Sequence, residues 1–174
     1  MKKRNTKNNM VLGEGASAFC LESDEGQQHL AKIIGLGYST EKIEHPASLS
    51  ADADCLKKSM RMALLDSELK TVDAIVMHAP GTIKGDQSEY KAIQSVFGTQ
   101  TPHLISTKHQ SGHTFGASGG LSLDLAIEML NRKSVIQFPY ETEVYQEKCT
   151  PKTILINAVG FGGNAVSIIV QKTD

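Results

Sequence analysis

Two short apolar runs, each ending in a polar loop that leads into a helix-type stretch, constrain this chain more than any other feature. Val72-Asp73-Ala74-Ile75-Val76-Met77 reads as a buried strand that stops at His78, and a loop holding Pro80 and Gly81 delivers the chain to a helix starting near Asp86. His103-Leu104-Ile105 repeats the pattern, followed by a polar loop at 106–112 and a helix over about 113–131. Strands alternating with helices in this way point to an α/β arrangement. Ahead of them, 16–22 and 29–37 are short apolar segments separated by Ser23-Asp24-Glu25-Gly26, a turn-type cluster that predicts an antiparallel hairpin. After Ser50, Leu56, Met60, Ala63 and Leu64 recur at helical spacing opposite Lys57, Lys58, Arg61 and Asp66, which predicts an amphipathic helix. Residues 153–159 and 165–170 read as two buried strands joined by Gly160-Phe161-Gly162-Gly163-Asn164. The predicted order is β-β-α-β-α-β-α-β-β in a single domain, 1–174, with no internal repeat.

Composition narrows the function classes. With 174 residues, 40% of them hydrophobic and 21% charged, the chain suffices for one core. Its formal net charge of −1 gives no general drive toward nucleic acid or an anionic membrane, and neither is expected as a partner. Lys2, Lys3, Arg4 and Lys7 concentrate basic charge in residues 1–9, which read as a flexible solvated end. Cys20, Cys55 and Cys149 are odd in number and lack C-x-x-C spacing, so a reducing, cytoplasmic setting is expected. No run approaches the roughly 20 apolar residues of a membrane span. His109 and His113 have the spacing of a helical metal pair, but Ser111 and Gly112 lie between them in a predicted loop, and no metal site is expected. The glycines at 160–163 precede a strand, so no helix N-terminus is available for a pyrophosphate, and no cofactor is expected.

Three segments carry the chemistry: His78-Ala79-Pro80-Gly81-Thr82-Ile83-Lys84-Gly85-Asp86-Gln87-Ser88-Glu89, Ser106-Thr107-Lys108-His109-Gln110-Ser111-Gly112-His113, and Asn157-Ala158-Val159-Gly160-Phe161-Gly162-Gly163-Asn164. Together they resemble the C-terminal half of β-ketoacyl-acyl-carrier-protein synthases of the thiolase superfamily, whose pattern is H-G-T-G-T-x-x-G/N-D-x-x-E, S-x-K-x-x-x-G-H and N-S-F-G-F-G-G-T-N. Val11-Leu12-Gly13-Glu14-Gly15-Ala16 also matches the segment that enters that half, so the resemblance covers nearly the whole chain. It implies a thiolase-like half with a mixed β-sheet and helices. It also implies decarboxylative Claisen condensation, in which malonyl carried on acyl carrier protein is joined to an acyl thioester, as in fatty acid or polyketide synthesis. His78 and His113 match two neutral imidazoles whose N–H groups would steady the enolate oxygen. Lys108 would supply a positive charge with Glu89 as its carboxylate partner. Phe161 matches an aromatic residue whose backbone N–H helps bind the acyl-enzyme oxyanion and whose ring gates the acyl tunnel.

Departures from the pattern set further expectations. Ala79 and Pro80 stand where the family has Gly and Thr, Val159 replaces a Phe, and one residue is missing before Asn164. The family's N-terminal half, with a nucleophilic cysteine on a strand-to-helix elbow, has no counterpart among these residues, and no cysteine here lies in such a turn. The chain alone is therefore expected not to condense thioesters. The alternative, from a different class, is a non-catalytic assembly partner of a ketosynthase complex; a thiolase-type lyase fits the Lys108/His113 pair less well. Small residues crowd Thr114-Phe115-Gly116-Ala117-Ser118-Gly119-Gly120 although each glycine costs a helix about 1 kcal/mol. Close approach by another element is expected there, with a homodimer or an N-terminal half packed on helix 113–131.

Overall fold

The computed structural model describes residues 10–23, 29–43, 49–136 and 150–173. The basic segment 1–9, Cys149 and residues 24–26 of the expected turn lie outside them.

Strand β1 (Lys32–Thr40) leads to helix α1 (Asp54–Asp66), then β2 (Ala74–Val76), α2 (Ile83–Phe97), β3 (His103–Ile105), the one-turn helix α3 (Lys108–Ser111), a 3₁₀ turn at Phe115–Ala117, α4 (Ser118–Arg132), β4 (Thr153–Gly160) and β5 (Asn164–Gln171). The five strands form one mixed sheet in the order β1-β5-β4-β2-β3. β2 runs parallel to β3 and β4, while β5 is antiparallel to β4 and β1. Alternation along the strands explains the layers. Ile75, Leu155 and Ile169 face Leu56, Met60, Ala63 and Ile93 of α1 and α2. Ala74, Val76, Ile154 and Ile156 face Ala126, Met129 and Leu130 of α4. The central strands are covered on both faces, which is why they read as unbroken apolar runs.

Parallel pairing brings the C-terminal ends of β2, β3 and β4 to one edge of the sheet. The loops after them carry the three motif segments, the usual place for a site in an α/β sheet.

Two expectations need correction. Residues 16–22 do not pair with the strand that follows; β1 is at the sheet edge and pairs with β5 alone. The described part of the first segment, residues 10–23, is a strap whose single ladder contact joins Leu12 to His113. β1 is drawn to its place by glycine: Gly35 and Gly37 let the strand lie directly on the backbone of α1. Helix 113–131 is the second correction, because Phe115 has φ of 50° and the α-helix begins only at Ser118. Ser50 precedes α1, as expected, without capping it. Helix α1 has no side-chain cap at Ala53; Glu41, beyond the end of β1, accepts hydrogen bonds from the Ser50 and Cys55 N–H groups and the Ser50 hydroxyl.

The contact of β1 with α1 gives a direct test. A Cβ on Gly37 would sit 1.9 Å from the Ser59 carbonyl oxygen, backbone that cannot swing aside, whereas one on Gly116 meets nothing within 4 Å. Gly37→Ala is expected to cost at least about 1–3 kcal/mol in urea unfolding, and Gly116→Ala to be neutral or stabilising by up to about 1 kcal/mol.

Candidate active site

The end of β2 presents His78, and a buried carboxylate shapes the turn beneath it. Glu89, on the inner face of α2 and 1% exposed, accepts the His78 N–H at Oε1 (2.9 Å) and the Ala79 N–H at Oε2 (2.8 Å). The Asn157 side-chain amide of β4 adds a third donor to Oε1 at 3.1 Å. This clamp holds Ala79 at φ of 30°, a conformation unfavourable for a residue with a Cβ, and more so before a proline. The family glycine at this place has no such penalty. Downstream, Gly81 at φ of 87° donates its N–H to Asp86 Oδ1 (3.0 Å), and Thr82 caps α2 by accepting the Gly85 N–H. Asp86 therefore fastens the loop, and Thr82 caps the helix.

His113 arrives from the other side. It follows α3, and its backbone is bound to the strap: its N–H donates to the Val11 carbonyl (2.7 Å) and its own carbonyl accepts from the Gly13 N–H (3.1 Å). The two imidazoles meet edge to face with ring centroids 5.2 Å apart. Their tautomers follow from their neighbours. The Val159 N–H donates to His78 Nδ1 (3.3 Å), and the Phe115 N–H donates to His113 Nδ1 (3.0 Å), with the Ser118 hydroxyl 3.3 Å from the same nitrogen. An imidazole whose Nδ1 accepts a backbone N–H carries its proton, when neutral, on Nε2. Both rings are thus Nε2–H donors. The positive φ of Phe115 falls just after its N–H, where the chain turns from the ring into the 3₁₀ turn ahead of α4.

Electrostatics keep them neutral. Burial, with the Lys108 charge and His113 beside it, pushes the His78 imidazole down to about 3. Burial and Lys108 lower His113 as well. Lys108, partly buried at the first residue of α3, is lowered by burial and held up by Glu89 and Asp86. Among the described residues no hydrogen bond or ion pair joins Lys108 to Glu89, whose oxygens are occupied by N–H groups, so the pair acts through space. Burial pushes the Glu89 carboxyl up, against the downward pull of those N–H donors and Lys108.

The His78 and His113 rings line a cavity of about 810 Å³, largely apolar, with Pro80, Val159 and Phe161 in its wall. Phe161 sits in the turn between β4 and β5 and is 71% exposed. Gly162 and Gly163, at φ of 88° and 75°, make that turn possible. Val159 takes part through its backbone, so the loss of the family Phe does not remove the contact to His78. Cys55 is buried and its thiol is pushed up to about 12, Cys20 is exposed, and neither lines the cavity. His109 is exposed. Sequence reasoning missed Asn157 as a partner of Glu89 and Ser118 as a partner of His113; both lie inside or beside the motifs, but nothing in spacing alone shows which way a side chain turns.

The neutral state of His78 predicts a pH dependence. In the unfolded chain a histidine protonates near 6.5; in the fold this one does so only near 3. The unfolded state therefore binds more protons between those values, and this contribution is complete above about pH 6.5 and lost as pH falls. The loss approaches about 1.4 kcal/mol per pH unit. Urea unfolding from about pH 7 to about pH 5 is expected to weaken the unsubstituted chain more than His78→Gln.

Comparison with known proteins identifies the family. The family pattern described as "Beta-ketoacyl synthase, C-terminal domain" matches residues 30–139. The chain is similar to 3-oxoacyl-[acyl-carrier-protein] synthase 1 of Haemophilus influenzae, 26% identical over 184 residues, covering 95% of this chain and 44% of that protein. It is also similar to 3-oxoacyl-[acyl-carrier-protein] synthase 2 of Staphylococcus aureus strain COL, 28% identical over 186 residues, covering 95% of this chain and 45% of that protein. The chain spans less than half the length of these curated relatives. Among solved structures, the ishigamide ketosynthase/chain length factor superposes with a TM-score of 0.86 at 23% identity, covering 98% of this chain and 46% of that one, a likeness of fold. A chain of the AntDE:AntF complex, a type II PKS acyl-carrier protein with its ketosynthase, superposes with a TM-score of 0.75 at 24% identity, covering 86% of this chain and 40% of that one. The chain belongs to the beta-ketoacyl synthase C-terminal domain family.

Proposed function

We propose that this chain is the half of a 3-oxoacyl-[acyl-carrier-protein] synthase that releases and steadies the malonyl-derived carbanion. The observation that carries this reading is the pair of neutral imidazoles, 5.2 Å apart, with both Nε2–H donors fixed by backbone N–H groups on Nδ1. A thioester carbonyl oxygen between them can accept both. When the bond between the malonyl α-carbon and its carboxylate breaks, carbon dioxide leaves and the electron pair moves into the thioester as an enolate. The two donors and the Lys108 charge favour that oxygen as it becomes negative, and the apolar cavity favours departure of the carboxylate as neutral gas. Preorganised donors of this kind are worth a few kcal/mol each. Condensation then needs an acyl group on a cysteine: the enolate carbon attacks the acyl carbonyl, the new carbon–carbon bond forms, and the thiolate leaves. Cys20 and Cys55 are not placed for this, so the nucleophile belongs to another polypeptide or segment. In its absence the enolate carbon takes a proton from water, and the product is an acetyl thioester.

Acyl carrier protein is the proposed bearer of the malonyl thioester. The other half of the fold is the proposed neighbour of α4: a cleft of about 490 Å³ runs between the strap, α4 and β4–β5, lined by Gly15, Phe19, Gly116, Leu123, Ile156 and Val166. Part of the small-residue stripe serves the chain itself, since a Cβ on Gly120 would lie 1.9 Å from Ser17 Oγ of the strap, but Gly116 is open. A homodimer through this face is the form proposed for the chain by itself. A purely assembling role would leave the buried Glu89, the neutral His78 and the partly buried Lys108 without a use.

Carbon dioxide release from malonyl acyl carrier protein tests the reading. The chain is expected to decarboxylate above the protein-free rate, with His78→Ala and His113→Ala each reducing it about 10²–10³-fold. Incubation with a radiolabelled acyl carrier thioester is expected to leave no acid-stable label on the chain. Release that is absent, or indifferent to both substitutions, refutes the reading.

A further inference from the structure

Behind Glu89 a chain of polar groups crosses the core to the outer helix. Asn157 donates Nδ2–H to Glu89 Oε1 (3.1 Å), Ser167 donates its hydroxyl to Asn157 Oδ1 (2.8 Å), and Ser59 of α1 lies 2.8 Å from the Ser167 oxygen. Ser59, Asn157 and Ser167 are each no more than 1% exposed. Ser59 and Ser167 touch where α1 lies on β5, a place where two small apolar residues would pack without any polar group to satisfy.

The direction of every bond follows from counting protons. Glu89 offers only acceptors to the N–H groups of His78, Ala79 and Asn157 as long as it is ionised. Asn157 must then turn its NH₂ to Glu89 and its oxygen to Ser167. The one proton of Ser167 is spent on that oxygen, so Ser59 is the donor to Ser167, sharing its proton with the Leu56 carbonyl at 3.1 Å. All the hydroxyl dipoles point toward the carboxylate, and such a chain strengthens cooperatively in a dry interior.

We propose that Ser167, backed by Ser59, is a positioning residue that fixes the Asn157 amide and through it keeps Glu89 charged as the clamp on the His78 turn. Without the Ser167 hydroxyl, Asn157 Oδ1 is left unsatisfied and the amide is free to rotate. A rotated amide sets oxygen against Glu89 Oε1, a contact relieved when Glu89 takes a proton. The His78–Ala79 turn, with Ala79 at φ of 30°, then loses the charge that holds it. Lys108 of α3 is the charge that bears on Glu89, and Asp86, on the helix of Glu89, bears on Lys108 in turn; His78, at the end of β2 with His113 against it, gives Glu89 its backbone N–H, and β4 brings Asn157, with Met60 Sδ of α1 3.6 Å from the same amide. The consequence for catalysis rests on the reading of His78 given above, whereas the orientation of the chain does not.

Carboxyl and imidazole NMR titrations of the full chain test this, in the unsubstituted protein and in Ser167→Ala, Ser59→Ala and Ser167→Thr. Ser167→Ala is expected to move the Glu89 carboxyl midpoint upward and to shift the His78 ring signals. Ser59→Ala, which leaves the Ser167 proton in place, is expected to move both less, and Ser167→Thr, which keeps the hydroxyl, to restore them. Equal effects of the two alanine substitutions mark mere loss of packing and overturn the proposal, as does an unmoved Glu89 midpoint in Ser167→Ala. If Ser167→Ala fails to fold, the unsubstituted chain decides: one Asn157 Nδ2–H resonance is expected to track the Glu89 titration, and its indifference overturns the assignment. None of these signals requires turnover, so absence of carbon dioxide release refutes the proposed function alone, and unmoved Glu89 signals refute this inference alone.

Discussion

A carboxylate buried beside the end of a strand is an expensive thing to build, because an ionised group in a dry interior is costly unless hydrogen bonds replace its lost water. In this fold Glu89 has that replacement from two successive backbone N–H groups and one side-chain amide. Much of the site depends on that arrangement. Two adjacent N–H groups can converge on one carboxylate only if the backbone between them turns sharply, so the clamp dictates the turn at His78–Ala79. The turn sends the His78 ring toward Val159, whose N–H selects the tautomer. The negative charge also gives Lys108 a reason to sit partly buried, and Lys108 in turn helps keep both imidazoles neutral.

The sequence disclosed what spacing can encode. Motif spacing singled out His78, Lys108, Glu89, His113 and Phe161, and the fold brings His78, Glu89, His113 and Phe161 to the wall of one cavity, while β3 at His103–Ile105 stands where its apolar residues predict. What spacing cannot encode is partnership. Residues 16–22 have the composition of a strand, but composition does not say which strand will pair with it, and the strap pairs with none beyond the Leu12 bridge. Glycine decided β1 instead: Gly35 and Gly37 read as breakers, yet their missing side chains are what admit the strand to the surface of α1. Asp86 shows the same limit at one residue. Its residue type does not say which N–H it will bind: Thr82 fills the cap place, and Asp86 reaches past it to Gly81.

The two imidazoles are alike in chemistry and unlike in support. His78 is held from within, just past a strand covered on both faces, through a carboxylate tied to β4, β5 and α1. His113 is held from outside, by Val11 and Gly13 of a strap whose described residues make no ladder bond to the sheet. Val11, Leu12 and Leu21 of that strap are 68%, 59% and 76% exposed, which is a weaker foundation than the buried carboxylate beneath His78. Segments with few buried contacts open locally at low free energy. The same strap walls the cleft beside α4 where the other half of the fold is proposed to pack. Covering that cleft would bury the apolar side chains of the strap and stiffen the backbone that carries His113, leaving the already rigid His78 almost untouched. One imidazole is therefore held by the core, and the placement of the other depends on how firmly the strap is covered.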